Sequence, residues 1–126
     1  MEMKPSDGRL TLPVNGEEIT VIGVQHRACP SCGESLLWLE EARRLERTAI
    51  ETYRKKHRLL AARDIIKIRE RYGLTQARLA SLLRLGVNTL SRWETGRNVQ
   101  TAAMDLLLRL IRDRPENIKY LRSRAA

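Results

Sequence analysis

Asn88 and Arg92 stand four positions apart in the run Val87-Asn88-Thr89-Leu90-Ser91-Arg92-Trp93-Glu94. On a helix that spacing turns both side chains to one face. A carboxamide can pair in bidentate fashion with the major-groove edge of adenine, and a guanidinium with that of guanine. Thr89, Ser91 and Arg97 are suited to the flanking phosphates. Just upstream, Thr75 to Leu83 reads as a second short helix, with Thr75 as its N-cap. The amino end of that helix can offer backbone N–H groups to a phosphate, and Gln76 and Arg78 add side-chain donors there. Ala80 is small where the two helices must cross, and Leu79, Leu83 and Leu90 fill the space between them. Two short helices joined by a tight turn, with basic and amide groups on the second, match a helix–turn–helix reader of double-stranded DNA.

A second group with chemical potential is Cys29-Pro30-Ser31-Cys32-Gly33, a Cys-x-x-Cys knuckle. Its thiols are candidate zinc ligands. A structural zinc takes four ligands, and the other nearby donors are Asp7, His26 and Glu34. The alternative is a degenerate knuckle whose two thiols only pack. Catalysis is not expected: His26 and His57 are the two histidines, and they form no defensible Ser/His/Asp or paired-carboxylate set. The scattered glycines make no phosphate-binding loop.

Charge agrees with the first group. The 126 residues carry a net charge of +9, and residues 61–126, with 14 basic and 6 acidic groups, hold +8 of it. Positive charge concentrated in one half points to a polyanionic partner. With 42% hydrophobic and 31% charged residues the chain has the composition of a globular protein. Its 4% aromatic content, with no Phe, leaves the core to Leu, Ile, Val and Ala. No apolar run reaches the roughly 18 residues of a membrane span, and no secretory signal is visible at the amino end. A cytoplasmic protein with no membrane partner is expected, and in that reducing compartment two cysteines are not read as a disulfide.

The elements that must position these groups fall into three pieces. Residues 1–33 hold two apolar, β-branched runs, Leu10–Val14 and Ile19–Val24, separated by Asn15-Gly16, a strong hairpin signal. Pro13 makes the first run an edge strand. Residues 34–57 read as a helix with Trp38, Ala42, Leu45, Ala49 and Tyr53 as its apolar stripe. Trp38 is assigned to the core between hairpin and helix, or alternatively to an anchor for a protein partner. The run Arg54-Lys55-Lys56-His57-Arg58 reads as a helix end, a hinge or, by default for a charge run, a solvated basic face. Residues 62–124 read as five helices: one marked by Ile65, Ile66, Ile68 and Tyr72 and ended by Gly73, then Thr75–Leu83, Val87–Glu94, Thr101–Arg112 and Glu116–Leu121. In the fourth, Ala102, Leu106, Leu107 and Leu110 are expected inside. Trp93 is expected to pack inward.

The stretches Leu74-Thr75-Gln76-Ala77-Arg78-Leu79-Ala80 and Leu90-Ser91-Arg92-Trp93-Glu94-Thr95-Gly96-Arg97 resemble the Xre/Cro family of helix–turn–helix domains. That resemblance implies base-edge contacts by Val87, Asn88 and Arg92 and backbone contacts by Thr75 and Gln76. The chain departs from the family at Arg84, where a turn glycine is usual; a non-glycine residue there must accept a left-handed conformation or remodel the turn. Gly86-Val87-Asn88, with the knuckle and a linking helix upstream, is similar to the MqsA-type antitoxins from about Leu12 onwards. This likeness implies an N-terminal zinc module that binds a toxin, a hinge, and a C-terminal domain that dimerises and binds a palindromic operator. It also implies two Cys-x-x-Cys pairs, of which this sequence has only the second.

The expected architecture is mainly α: a C-terminal five-helix Xre/Cro-type domain over 62–126, a basic hinge over 58–61, and a small α+β module of hairpin, knuckle and linking helix over 1–57. The expected function is a sequence-specific repressor and antitoxin acting as a homodimer, with the helices Thr101–Arg112 and Glu116–Leu121 as the dimer surface and half-sites about one DNA turn apart. The rival readings are a solitary Xre-type regulator and a dimeric protein-binding adaptor.

Overall fold

The computed structural model describes the backbone of residues 4–28, 35–36 and 38–125, and side chains over 8–23 and 38–125. Cys29 and Cys32 lie outside the described residues. The fold is mainly helical, with a small amino-terminal sheet.

The sheet has three antiparallel strands, β1 (Lys4–Val14), β2 (Glu17–Ala28) and β3 (Ser35–Leu36), in the order β1-β2-β3, so β1 is an edge and can carry Pro13. Asn15 and Gly16 both take positive φ (50° and 79°), the requirement of a two-residue turn whose twist matches the strands. Leu12 then pairs with Ile19 and Leu10 with Val21 on one face, while Thr11 and Thr20 meet on the other with their hydroxyls 3.0 Å apart. Farther out, Gly8 pairs with Val24 and Leu10 with Val21, so Ile22 and Gly23 together oppose Arg9. Gly23 makes this bulge possible with φ 73°.

Residues 34–57 are not one helix. β3 occupies Ser35–Leu36, and helix α1 runs Leu39–Lys56. Trp38 caps it: its carbonyl accepts from the Ala42 N–H (2.9 Å), and its own N–H donates to the Glu41 carboxylate (2.9 Å). Trp38 therefore lies before the helical phase begins and is 58% exposed, which overturns its placement in the core. Leu45, Ala49 and Ile50 are buried on α1, as are Val14, Ile19 and Val21 on the hairpin. Contacts divide the chain within α1, into a unit ending at Tyr53 and a second beginning at Arg54.

The second unit holds the five remaining helices: α2 (Ala62–Arg71), α3 (Gln76–Leu82), α4 (Thr89–Glu94), α5 (Ala102–Asp113) and α6 (Glu116–Arg124). Thr75 caps α3 by accepting from the Arg78 N–H (3.1 Å), and Thr101 caps α5 by accepting from the Met104 N–H (3.2 Å). One core joins them, built from residues that include Ile65, Ile68, Leu79, Ala80, Leu90, Trp93, Leu108, Ile111 and Ile118. Helix α5 differs from expectation. It buries Asp105, Leu108 and Ile111, whereas Ala102 is exposed and Leu106 and Leu110 are 62% and 54% exposed. Its charged residues Asp105, Arg109 and Arg112 recur at steps of four and three, a polar stripe that periodicity alone turns to solvent. Asp105 is drawn inside instead: its carboxylate accepts from the Leu60 N–H (2.7 Å) and from Arg109 Nε (2.8 Å).

Candidate nucleic-acid interface

Helix α4 has six residues, and its inward side carries Leu90 and Trp93, both buried in the core. That placement leaves the opposite side to Arg92, which is exposed. Asn88 is the N-cap of α4 and is also exposed, yet it makes no side-chain capping hydrogen bond. Its carboxamide is not used to hold the helix together. Val87, one position earlier, is 69% exposed. The three residues read from the sequence as base contacts thus stand outward at the amino end and outer face of α4. Thr89 and Ser91 are half-buried on the same helix, and Arg97 is exposed just beyond it.

Helix α3 crosses behind α4 with Leu79 and Ala80 buried at the crossing and Leu83 half-buried. Arg78 is exposed and Thr75 is engaged as the N-cap. The turn between the helices is closed by Arg84 at φ 57°, the left-handed conformation that this position demands. With it the Arg84 N–H reaches the Ser81 carbonyl (3.0 Å) and the Leu85 N–H the Ala80 carbonyl (2.8 Å). The turn keeps the geometry a glycine would give, without the glycine.

Electrostatics come from a group that sequence reasoning did not find. Arg69 on α2 donates through Nε to Glu94 Oε2 and through Nη2 to Glu94 Oε1, both at 2.9 Å. Gln76 Nε2 donates to the same Oε1 at 3.1 Å, so that amide nitrogen is already engaged by the protein. The Glu94 side chain is 3% exposed. Its charge is turned inward and paired, so the acid of α4 leaves the outer face to Arg92, Arg97 and Arg78. The hydrogen bond to Glu94 in turn raises the Arg69 pKa above its ordinary value, against the opposing effect of burial. The one signal available was that Arg69 and Glu94 are opposite charges on helices expected to pack together; their distance was not readable.

Arg54 was also missed. Read as part of a solvated run, it is 1% exposed and sits inside the helical unit. Leu60, four positions before Asp64 of α2, is likewise part of the core.

The candidate zinc donors Cys29, Cys32, Asp7, His26 and Glu34 all lie outside the described side chains. Among the described residues no three His, Cys, Asp or Glu side chains come together as a metal-ligand group. The chain contains two cysteines in all, half of a four-thiolate set.

With the fold and this face in view, the comparisons with known proteins decide the family. Residues 3–122 match the family model described as the antitoxin component of the bacterial toxin–antitoxin system, MqsA. The chain belongs to the MqsA antitoxin family. Across 58 residues this MqsA-family chain is also 33% identical to antitoxin HigA-2 of Vibrio cholerae serotype O1, a stretch covering 46% of this chain and 56% of that protein. The chain spans only about half the length of that curated relative. Membership points to a regulatory rather than an enzymatic role. No described helix is long and apolar enough to cross a membrane.

Proposed function

We propose that this MqsA-family antitoxin is a sequence-specific repressor that binds a palindromic operator in its own operon as a homodimer. Helix α4 enters the major groove, where Asn88 reads adenine and Arg92 reads guanine, with Val87 against the base edges. Thr75, Arg78, Thr89, Ser91 and Arg97 hold the phosphates, and Gln76, whose amide nitrogen already donates once to Glu94, joins them through its second amide hydrogen and its backbone N–H. The observation that carries this reading is the outward stance of Val87, Asn88 and Arg92 on a helix whose other side is locked into the core by Leu90 and Trp93. The uncommitted Asn88 carboxamide supports it, because a capping role would have spent that group.

Specificity needs two such helices, since one reads too few base pairs. The exposed Leu106 and Leu110 on α5, four positions apart, and exposed Tyr120 on α6 supply an apolar surface on which a second copy can close. The amino-terminal module is the toxin-binding part, and its exposed Ile22, Trp38 and Leu39 are the apolar side chains it offers to a protein partner.

Fluorescence anisotropy with a duplex from the chain's own upstream region tests the reading. Asn88→Ala and Arg92→Ala are each expected to lose roughly 1–3 kcal/mol of discrimination against a scrambled duplex. Unchanged discrimination in both variants leaves a protein-binding adaptor and removes the repressor.

A further inference from the structure

Helix α4 is less than two turns long, and isolated helices of that length do not hold in water. Its carboxyl end must be satisfied from outside. Part of this is local: Gly96 turns left-handed (φ 74°), and the N–H groups of Arg97 and Asn98 both return to the Arg92 carbonyl, at 2.9 and 3.2 Å. The rest comes from the last turns of α1. Arg54 Nη2 donates to the Trp93 carbonyl at 2.9 Å and to the Asn98 carbonyl at 3.3 Å. Its Nε donates to Gln100 Oε1 at 3.0 Å. Gln100 is held in turn, with Nε2 donating to the Leu60 carbonyl (2.8 Å) and to Asp105 Oδ1 (3.2 Å). The segment from Trp93 to Gln100 therefore wraps a buried guanidinium that originates 39 positions upstream of Trp93. A cation at a helix carboxyl end also complements the helix dipole.

We infer that Arg54 is a positioning residue for DNA reading, whose buried guanidinium fixes the end of α4 and the loop to Gln100 and so places Arg97 on the phosphate backbone. The last turn of α1 then belongs to the reading head, although it lies outside the helix–turn–helix motif. Only a planar fork serves acceptors lying in these different directions; a lysine ammonium reaches the cavity but not all of them. The inference rests on the operator-binding reading above, and its test separates the two.

The experiment uses the full chain, a duplex from its own upstream region, and a salt titration of affinity. Arg97→Ala is expected to reduce the slope of log affinity against log salt by about one. Arg54→Lys is expected to do the same and to weaken binding about tenfold, and the double variant to be no more than about threefold weaker than either single variant, because both remove one contact. In the free protein, the Arg97 and Asn98 amides of Arg54→Lys should exchange at least about tenfold faster than in the native chain, while Ile68 and Leu108 amides do not change. A purely structural role would speed exchange throughout the unit and leave the salt slope alone. Arg54→Met is the harsher companion; if it fails to fold, the lysine variant and the exchange measurement carry the test. Native salt slope and native Arg97 and Asn98 protection in Arg54→Lys overturn the inference, as does a double variant about a hundredfold weaker than native. A native chain with no preference for the upstream duplex refutes the operator reading itself and the DNA part of the inference with it.

Discussion

Glu94 ties together the three helices around the proposed DNA-reading face. Its carboxylate, 3% exposed, takes two hydrogen bonds from the Arg69 fork at 2.9 Å and one from Gln76 at 3.1 Å, tying α2 and α3 to the last residue of α4. Glu94→Ala removes the acceptor and leaves the Arg69 guanidinium, 18% exposed, facing a void. Breaking a buried ion pair by deleting one partner costs about 3–5 kcal/mol. Arg69 keeps its bond to the Leu74 carbonyl (3.0 Å) and retains some water, which places the cost near the lower end, about 3 kcal/mol. For a unit of this size that is a fall in melting temperature of roughly 15 °C. Glu94→Gln keeps the shape and loses the charge, and should cost about half as much. Arg69→Met with Glu94→Leu removes both ends of the pair and should recover to within about 1 kcal/mol of native, since apolar replacement of a buried pair is often neutral. Urea unfolding followed by the fluorescence of buried Trp93 measures all four proteins. The reasoning fails if Glu94→Ala costs less than about 1 kcal/mol, or if the double variant is as unstable as Glu94→Ala.

Arg84→Gly removes a side chain from a left-handed position (φ 57°) and should raise stability by up to about 1 kcal/mol, whereas Arg84→Val should lower it; paired urea midpoints check the sign. Burial pushes the Asp105 carboxyl up, but hydrogen bonds from the Leu60 amide, Arg109 and Gln100 outweigh it and hold the group below the usual carboxylate range. A depressed folded pKa contributes stability that is fully present above the unfolded value near 4 and is lost as pH falls through the folded value. Asp105→Asn should therefore lower stability at pH 7 and flatten the loss of stability as pH falls below about 4, measured as urea midpoint against pH; an unchanged acid limb contradicts this. If a homodimer closes on α5 as proposed, Leu106→Glu with Leu110→Glu should convert it to a monomer in sedimentation, with a change in monomer stability of less than about 0.5 kcal/mol because both side chains are already exposed; dimers that persist place the interface elsewhere.

Local signals in the sequence were enough for several elements. Asn15-Gly16 between β-branched runs specified the hairpin because both residues accept positive φ, and a two-residue turn with both φ positive matches the twist of the strands. Thr75 and Gly73 bracketed the gap between α2 and α3, and the steps among Leu79, Leu90 and Trp93 set which sides of α3 and α4 face the core. The outward stance of Asn88 and Arg92 follows from those inward residues. By contrast, the stripe proposed on α5 was misplaced because its charged side, which includes Asp105, faces the core, and Trp38 was misplaced because a single strand-to-helix boundary shifted its phase.

What the sequence determined by itself was the hairpin, the order of the helices, the motif and the chemical character of its outer face, since these depend on neighbours a few positions away. What only the tertiary structure decided was the fate of the charges. Arg54 and Arg58 belong to the same basic run, yet one is buried against the end of α4 and the other is exposed; Glu94 and Asp105 are ordinary acids in the sequence and buried acceptors in the fold. Burial of a charge is settled by partners tens of residues away that satisfy every donor and acceptor at once, and no local periodicity encodes that requirement.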